Sequence, residues 1–506
     1  MLEALSLASM ALLALLQAPA AAAPTRQATA TATRYTFTYS ADSMRLVRVT
    51  AEFTLKDSTL AMVPYGAEHL PDGWRTFVHN ERMTSGGRPV ALTRLPERRW
   101  KVAGPLGRPV RLTYDVAIDH DRKPWIPDAR EAAYVRDWGV FTVGRAVFIY
   151  NDENARDIEI AFRLPEGWKV GTAWQPRGAN AFTAPGWGDA INSVVFAGRF
   201  RSFDVRQESV TVSYAIGGGE RWDASEPLLR GVTTDMIDAY RRLFHGAPAA
   251  RLFVVINPDR AGNGGGGVFR QSISMTFPEP PSAAGILAWG HTLSHELFHV
   301  WNAHTMRRDG PSEEWFVEGF AEYYSNLTMA RRGHYAVGGL LAKMSRALRT
   351  YERAAGQISL RQAGHQEWEQ PGPDMLYNGG WMAALTLDMM IRQHSGGARS
   401  LDDAMTDLYQ RLSGGTPRLT NAELLSAVSR ALGDDATPFF DRYVFGTERL
   451  PVAQAAAYVG LSAEGGEFTL VANPSPAQSA AWAAYLPGIA RDGTVLPGAA
   501  LPPVGH

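Results

Sequence analysis

Apolar residues occupy every second position in short runs along the first half of the chain. Such alternation turns one face of a strand toward a core and the other toward solvent, which predicts antiparallel strands. Turn clusters of Gly, Pro and Asp separate the runs, so residues 30–222 are predicted to form an N-terminal β-rich, sandwich-like domain. The runs are Tyr35/Phe37/Tyr39, Val49/Ala51/Phe53/Leu55, Leu112/Tyr114/Val116/Ile118, Ile158/Ile160/Phe162/Leu164 and Val210/Val212/Tyr214.

The pattern changes after the glycines at 217–219. Residues 252–256 form a continuous apolar run that predicts a buried strand, and a second strand is predicted over Ser272–Phe277. From Ala283 to about residue 446 the apolar positions recur with a helical period. Residues 223–450 are therefore predicted to form a mostly helical domain with a small β edge, which makes the chain a multidomain α+β protein.

The amino terminus has the features of an export signal. Residues 4–16 are apolar apart from two serines, and a run of small residues follows at 20–23. This pattern predicts a signal peptide over residues 1–23 and a periplasmic or secreted protein of bacterial type. Glu3 and the lack of Lys or Arg before the apolar run are unusual for a signal, so an uncleaved anchor is the alternative. No later segment has the ~20 apolar residues of a membrane helix, and we expect no stable membrane span in the mature chain.

Charge and cysteine content exclude several classes of protein. The 506 residues carry 50 Lys plus Arg against 51 Asp plus Glu, and a formal charge of −1 does not favour nucleic-acid binding. The absence of cysteine excludes disulfides, thiolate metal sites and cysteine nucleophiles. Any metal must therefore be bound by His, Asp or Glu.

The segment His295-Glu296-Leu-Phe-His299 contains the candidate chemistry. On a helix the two histidines are i and i+4, so both imidazoles lie on one face and can reach one cation. Glu296 is placed to orient a metal-bound water and to accept its proton.

A third ligand must come from elsewhere in the chain. His291 and His304 are each interpreted as a structural or solvated histidine, since neither has a standard ligand spacing. Glu318 lies 19 positions after His299 on the next predicted helix, and two His with one carboxylate leave a fourth position open for water, as in catalytic zinc sites. Glu322, one turn later, is predicted to accept a hydrogen bond from a ligating imidazole. An exposed acidic helix face is the alternative, but the aromatic neighbours favour burial.

These segments resemble the M61 glycyl aminopeptidase family of gluzincin zinc metallopeptidases. The likeness covers residues 295–302, 315–320, 323–324 and 377–380. The resemblance implies a thermolysin-like catalytic domain with one zinc per chain, bound by His295, His299 and Glu318, and Glu296 as general base. It also implies that the Tyr377 hydroxyl stabilises the oxyanion, and a buried structural tyrosine is the alternative.

Two features depart from the family pattern. Family members carry a Gly-rich strand followed by an acidic residue, which binds the substrate amine, and a His. In this chain Gly266 and Gly267 are followed by Phe269 at the position of the acid and Arg270 at that of the His. These four residues are the predicted substrate contacts. The family also has a C-terminal PDZ module, whereas residues 451–506 are predicted to be a short tail or a degenerate PDZ remnant.

The sequence therefore predicts an exported zinc metallopeptidase acting on peptides or proteins, with aminopeptidase specificity in question because the amine-binding acid is absent. The alternative is a catalytically impaired peptide-binding or envelope-scaffold protein. The sequence does not indicate an oligomeric state.

Overall fold

The structure is a computed structural model that describes residues 32–118, 120, 132–258 and 264–494. The predicted signal over residues 1–23 and the end of the tail, 495–506, lie outside the described residues. Within the described ranges, none of the helices combines the length and the apolarity needed to cross a membrane.

The N-terminal domain is built from β-sheets, as the alternating pattern predicts. The strands are β1 Arg34–Tyr39, β2 Leu46–Thr54, β3 Thr59–Ala61, β4 Val78–Ser85, β5 Arg88–Val90, β6 Leu92–Leu95, β7 Arg99–Val102, β8 Pro109–Ala117, β9 Tyr134–Arg136, β10 Gly139–Val143, β11 Arg156–Arg163, β12 Lys169–Thr172, β13 Gln175–Gly178, β14 Ala181–Gly186 and β15 Val194–Gly198. The largest sheet has eight strands in the order β13-β14-β11-β1-β2-β8-β4-β5, and sheets of four strands (β12-β15-β10-β9) and three strands (β3-β7-β6) accompany it. The alternating residues of β1, β2, β8 and β11, among them Tyr35, Val49 and Tyr114, are buried in one apolar core.

A five-stranded mixed sheet joins this domain to the helical one. It contains β16 (Arg201–Gln207), β17 (Val210–Ile216), β18 (Arg251–Pro258), β19 (Gly265–Phe269) and β20 (Ser272–Phe277), in the order β16-β17-β18-β20-β19. Alternate residues of β18 face different cores: Val254 packs with the helices and Val255 with the β-domain. Burial on both faces explains why this strand is a continuous apolar run.

The same sheet contains two strands, β16 and β17, that precede the predicted domain boundary at 222/223. Strand β17 pairs in parallel with β18, and apolar residues of β16 and β17, such as Val205 and Val212, belong to the helical core. The alternation over these strands shows only that one face is buried, not which core buries it. These two strands therefore pack with the helices that follow them, and the predicted β edge is a five-stranded sheet.

Helices form the rest of the described chain. The longer ones alternate with short loops, and two π-helical turns, Asp374–Gly379 and Phe440–Phe445, interrupt the α-helical series. The helices are α1 Gly144–Val147 and α2 Trp187–Ile191 in the β-domain, then α3 Glu226–Leu243, α4 Ile286–Asn302, α5 Glu314–Arg331, α6 Val337–Ala354, α7 Leu360–Ala363, α8 Gly380–His394, α9 Leu401–Leu412, α10 Asn421–Leu432, α11 Thr437–Phe439, α12 Val452–Ala457 and α13 Pro476–Tyr485.

The segment predicted as a tail or PDZ remnant is part of the helical domain. Helices α12 and α13 follow one another with a two-stranded sheet between them, β21 (Leu461–Ser462) and β22 (Thr469–Leu470). Phe468 and Trp482 are buried in the helical core. The Ala-rich composition reflects close helix packing, which composition alone does not distinguish from a loose tail.

A glycine pair fixes the contact between α5 and the start of α8. A Cβ on Gly319 would lie 2.3 Å from Gly380 Cα, and one on Gly380 would lie 2.3 Å from the Trp315 carbonyl oxygen. Backbones approach this closely only where both residues lack a side chain. The contact brings Glu318 on α5 near the π-helical turn that carries Tyr377.

Candidate metal centre and catalytic site

Helix α4 contains the His-Glu-x-x-His segment and is buried on both sides. Leu293, Leu297 and Val300 pack in the helical core. His295 and Glu296, on another part of the helix surface, are only 7% and 6% exposed. Polar groups this deeply buried require partners, and those of His295 lie on α5.

The side chains of His295, His299 and Glu318, which we call the zinc triad, converge on one point. The His295 Nε2 and His299 Nε2 atoms lie 2.9 Å apart. The Glu318 Oε2 atom lies 3.2 Å from the first and 3.4 Å from the second. Ligand atoms 2.0–2.1 Å from one tetrahedral zinc are about 3.3 Å apart, so these three atoms are spaced to share one such ion. The donor set of two imidazoles and one carboxylate also suits zinc.

The triad is electrostatically coupled. Burial alone raises the pKa of Glu318, but the imidazoles of His299 and His295 outweigh it and hold the pKa of the carboxyl well below its usual range. Burial likewise lowers the pKa of His295, but Glu318 and Glu322 reverse the effect and raise it well above its usual value. The pocket therefore favours a positive charge between these side chains.

Glu322 lies behind the triad, on the same side of α5 as Glu318. Its Oε1 is 3.2 Å from His295 Nδ1, and its Oε2 is 3.0 Å from His291 Nε2. His291, His295 and Glu322 form a second group with potential metal ligands. Here, however, each carboxylate oxygen faces a different ring, the arrangement of a carboxylate that orients imidazoles from outside.

Asn302 orients His299, the other histidine of the triad, and was not singled out from the sequence. The His299 Nδ1–H group donates to Asn302 Oδ1 at 3.1 Å, so the other ring nitrogen, Nε2, faces His295 and Glu318. The Asn302 amide donates to the Val317 carbonyl oxygen at 2.8 Å, next to Glu318. The sequence contained one signal for this role, because Asn302 is three residues after His299 on the same helix.

Glu296 lies against the edge strand β19. A Cβ on Gly266 would be 2.4 Å from Glu296 Cγ and 2.6 Å from its Oε1, so only glycine fits at this position. A Cβ on the neighbouring Gly267 would meet nothing within 4 Å. The first glycine therefore makes room for the Glu296 carboxylate, and the second faces open space.

Tyr377 lies in the π-helical turn before α8, partly exposed beside the triad. Its ring stacks near that of His295, with centroids 6.2 Å apart and an interplanar angle of 25°. π-Helical turns are frequent at functional sites, because the extra residue redirects a side chain. Tyr377 is 59 residues further along the chain than Glu318, and the fold places its ring beside the triad.

The other two predicted substrate contacts point away from the triad. Phe269 is 1% exposed and packs in the core of the β-domain. Arg270 donates from Nε to Asp189 of the β-domain at 2.8 Å. Neither side chain contacts the triad, since the strand ends at Phe269 and turns toward the β-domain.

His304 is structural, as the sequence interpretation expected. Its Nε2–H group donates to the Val268 carbonyl oxygen at 3.1 Å. Burial, followed by the positive charges of His299, Arg145 and Arg308, lowers its pKa to about 3. The side chain therefore stays neutral and ties the end of α4 to strand β19.

Known structures share this fold. The chain is similar to an aminopeptidase N family protein from Idiomarina loihiensis, with a TM-score of 0.74 and 18% identity, over 85% of this chain and 78% of that chain. It is also similar to an M1 zinc metallopeptidase from Deinococcus radiodurans, with a TM-score of 0.57 and 15% identity, over 84% and 95% of the two chains. A mutant of that enzyme was solved with a Tyr-Ser-Ala substrate bound. At these identities the similarity shows the fold. No curated protein matches the chain.

The two-domain fold and the buried donor set define an aminopeptidase-like zinc metallopeptidase. The family follows from the sequence: residues 34–199 match the peptidase M61 N-terminal domain, and residues 289–375 match the M61 glycyl aminopeptidase domain. The chain belongs to the M61 peptidase family, which confirms the resemblance and the fold class predicted above. The strand with Gly266, and Tyr377, lie outside both matched ranges.

Proposed function

We propose that the protein hydrolyses peptide bonds at a zinc ion bound by His295, His299 and Glu318. The observation that carries the proposal is the spacing of the three ligand atoms, 2.9–3.4 Å from one another on two different helices. Bound there, zinc would polarise the scissile carbonyl and lower the pKa of the attacking water. Its fourth position would be open to substrate and water.

The residues of the chain supply the remaining steps. Glu296 accepts the proton of the attacking water and later donates it to the leaving amine. Tyr377, through its hydroxyl, donates a hydrogen bond to the developing oxyanion. Glu322 and Asn302 keep the two imidazoles in the tautomer and orientation that direct Nε2 at the ion.

The substrate need not have a free amino terminus. In the family pattern an acid on the Gly-rich strand binds the α-ammonium, and Phe269 replaces it here with a side chain buried in the β-domain. We expect blocked or internal peptide bonds to be cleaved at least as readily as N-terminal ones. Acetylated and free-amine forms of one peptide test this, and a strict requirement for the free amine would exclude it.

The hydrolytic mechanism is tested by Glu296→Gln. Purified wild type should contain about one zinc per chain, measured by mass spectrometry of the metal, and the variant should retain the zinc but lose peptide hydrolysis. Glu166→Gln, at an exposed position of the β-domain, is the matched control and should retain both. Full activity of Glu296→Gln would reject the mechanism.

The second candidate, a peptide-binding or envelope-scaffold protein, is favoured only by the altered Gly-rich strand. On this hypothesis, zinc-loaded wild type and zinc-loaded Glu296→Gln bind unfolded peptides equally well, and neither protein hydrolyses them.

Export is part of the proposal and rests on the apolar segment at residues 4–16. Cell fractionation with sequencing of the mature amino terminus checks it, and an intact cytoplasmic chain would contradict it.

A further inference from the structure

A cavity of about 830 Å³ lies beside the zinc triad, between the two domains. We call it the arginine cavity. From the helical domain and β19 it is lined by Arg270, Arg307, Arg308 and Arg418, and from the β-domain by Tyr65 and Asn192. Its volume is within the range of sites for small ligands and for one or two peptide residues.

The arginine cavity adjoins the triad along both helices. Its lining includes Glu314, which precedes Glu318 by one turn of α5, a rise of about 6 Å. It also includes His304, five residues after His299. A peptide with its scissile bond at the triad therefore has its neighbouring residues within reach of this cavity.

The lining of the arginine cavity carries more positive than negative charge. Arg308 is paired with Glu314, Arg418 with Asp309 at 3.3 Å, and Arg270 with Asp189 at 2.8 Å. Arg307 is exposed at the mouth, and among the described residues it has no ion-pair partner. Arg307 thus remains available to a ligand, beside three arginines that each have one carboxylate partner.

A further arginine, Arg145, lies in the wall beside the cavity. The Arg145 guanidinium lies 5.3 Å from the Phe269 ring and 5.0 Å from the Tyr65 ring. Its Nε donates to Asn192 Oδ1 at 3.2 Å. This arginine lies next to two residues of the wall, Tyr65 and Asn192, which also line the arginine cavity.

We propose that the arginine cavity is a specificity subsite that binds a carboxylate of the peptide substrate, with Arg307 as the principal contact. The inference rests on the proposed peptidase function and gives it a substrate class, peptides with an acidic group next to the scissile bond. The carboxylate can be a Glu or Asp side chain or the substrate's own terminus. Arginine binds either one through paired N–H donors.

Four quenched fluorescent peptides test the proposal. Three are blocked at both ends and carry Glu, Gln or Lys beside the scissile bond, and the fourth is the Gln peptide with a free carboxyl terminus. We expect kcat/KM for the Glu peptide to exceed that for the Gln peptide about tenfold, the usual effect of one hydrogen-bonded charge. The preference should decrease with added salt. A preference for the free terminus instead identifies the terminal carboxylate as the ligand.

Variants at the mouth assign the effect to Arg307. The ratio of kcat/KM for Glu over Gln peptides should approach one in Arg307→Gln and shift toward the Lys peptide in Arg307→Glu. Arg163→Gln removes an exposed arginine from the β-domain away from the cavity and should retain the wild-type ratio. Zinc content and melting temperature of each variant verify its fold.

Binding separates this inference from the proposed function. Dissociation constants of the same peptides for zinc-loaded Glu296→Gln, with and without Arg307→Gln, need no turnover. If Glu peptides bind preferentially through Arg307 but wild type hydrolyses nothing, the subsite stands and the peptidase function fails. The proposal is overturned if peptides are hydrolysed but kcat/KM is the same for the acidic, neutral and free-carboxylate forms. It is also overturned if the preference for Glu over Gln peptides persists in both Arg307 variants.

Discussion

The zinc triad and the arginine cavity are neighbours, yet they are built in different ways. The triad comes from two long helices, its two histidines are buried, and its imidazoles and carboxylate partner one another. The cavity comes largely from loops and the end of an edge strand, and Arg307 and Arg418 are exposed. Helices packed in a core maintain atomic positions within the tolerance that catalysis requires, whereas loops can change without disturbing the core. Hydrolysis and specificity can therefore be altered separately.

The sharpest test of the comparison concerns where the metal binds. His299 belongs only to the triad and His291 only to the second group, so His299→Gln and His291→Gln form a matched pair. We expect His299→Gln to lose zinc and to reduce peptide hydrolysis by about 10³-fold or more, since the metal contributes several kcal/mol to the transition state. His291→Gln should still contain one zinc. The opposite metal contents would move the site to His291, His295 and Glu322.

The next test addresses the contact between β19 and Glu296, the proposed general base. In Gly266→Ala the added methyl lies within 2.4 Å of Glu296 Cγ, so the carboxylate must move. A displacement of about 1 Å can reduce kcat about 10²-fold. Gly267→Ala places the same methyl in open space, and we expect its effect on kcat to be at least tenfold smaller. Equal kcat values in the two variants, with zinc retained, would show that the lack of a side chain at Gly266 is not needed to position Glu296.

A smaller effect is expected at the carboxylate behind the triad. Glu322→Gln should weaken zinc binding about 10- to 100-fold, because the outer nitrogen of His295 loses its anionic partner. Competition with a chelator measures this affinity, and Glu352→Gln, at an exposed position on α6, is the control. An unchanged affinity would show that Glu322 serves only His291.

The smallest effect is expected at His304, which joins the two regions. Its pKa is about 3 in the folded protein against a usual value of 6.5. Between these values the unfolded chain binds the proton and the folded chain does not. Stability from this residue is therefore complete above pH 6.5 and decreases as the pH falls, by at most about 2 kcal/mol at pH 5.

Denaturant unfolding of wild type and His304→Asn between pH 5 and 8 checks this prediction. The asparagine amide can still donate to the Val268 carbonyl oxygen but does not titrate in this range. Wild type should lose more stability than the variant as the pH decreases. Parallel pH profiles would show that His304 is protonated in the folded protein as readily as in the unfolded one.

The family resemblance and the α+β class were accessible from the sequence because their signals are local. The i and i+4 spacing of His295 and His299 places both rings on one face of any helix. The alternation in the β-domain likewise depends on neighbouring residues only. Placing Glu318 beside them required one further assumption, that the next helix packs against α4, and the structure has that packing.

Tertiary structure alone decided the features that join distant segments. The packing of β16 and β17 with the helical core depends on which strand β17 pairs with, and the burial of Phe468 and Trp482 depends on which core receives them. The role of Gly266 and the arginine cavity arise in the same way, from segments more than 25 residues apart in the chain. A sequence pattern reports that a residue is buried or charged, but the identity of its neighbour is set by packing between elements. The sequence thus determined the family and its candidate ligands, and the fold determined their neighbours.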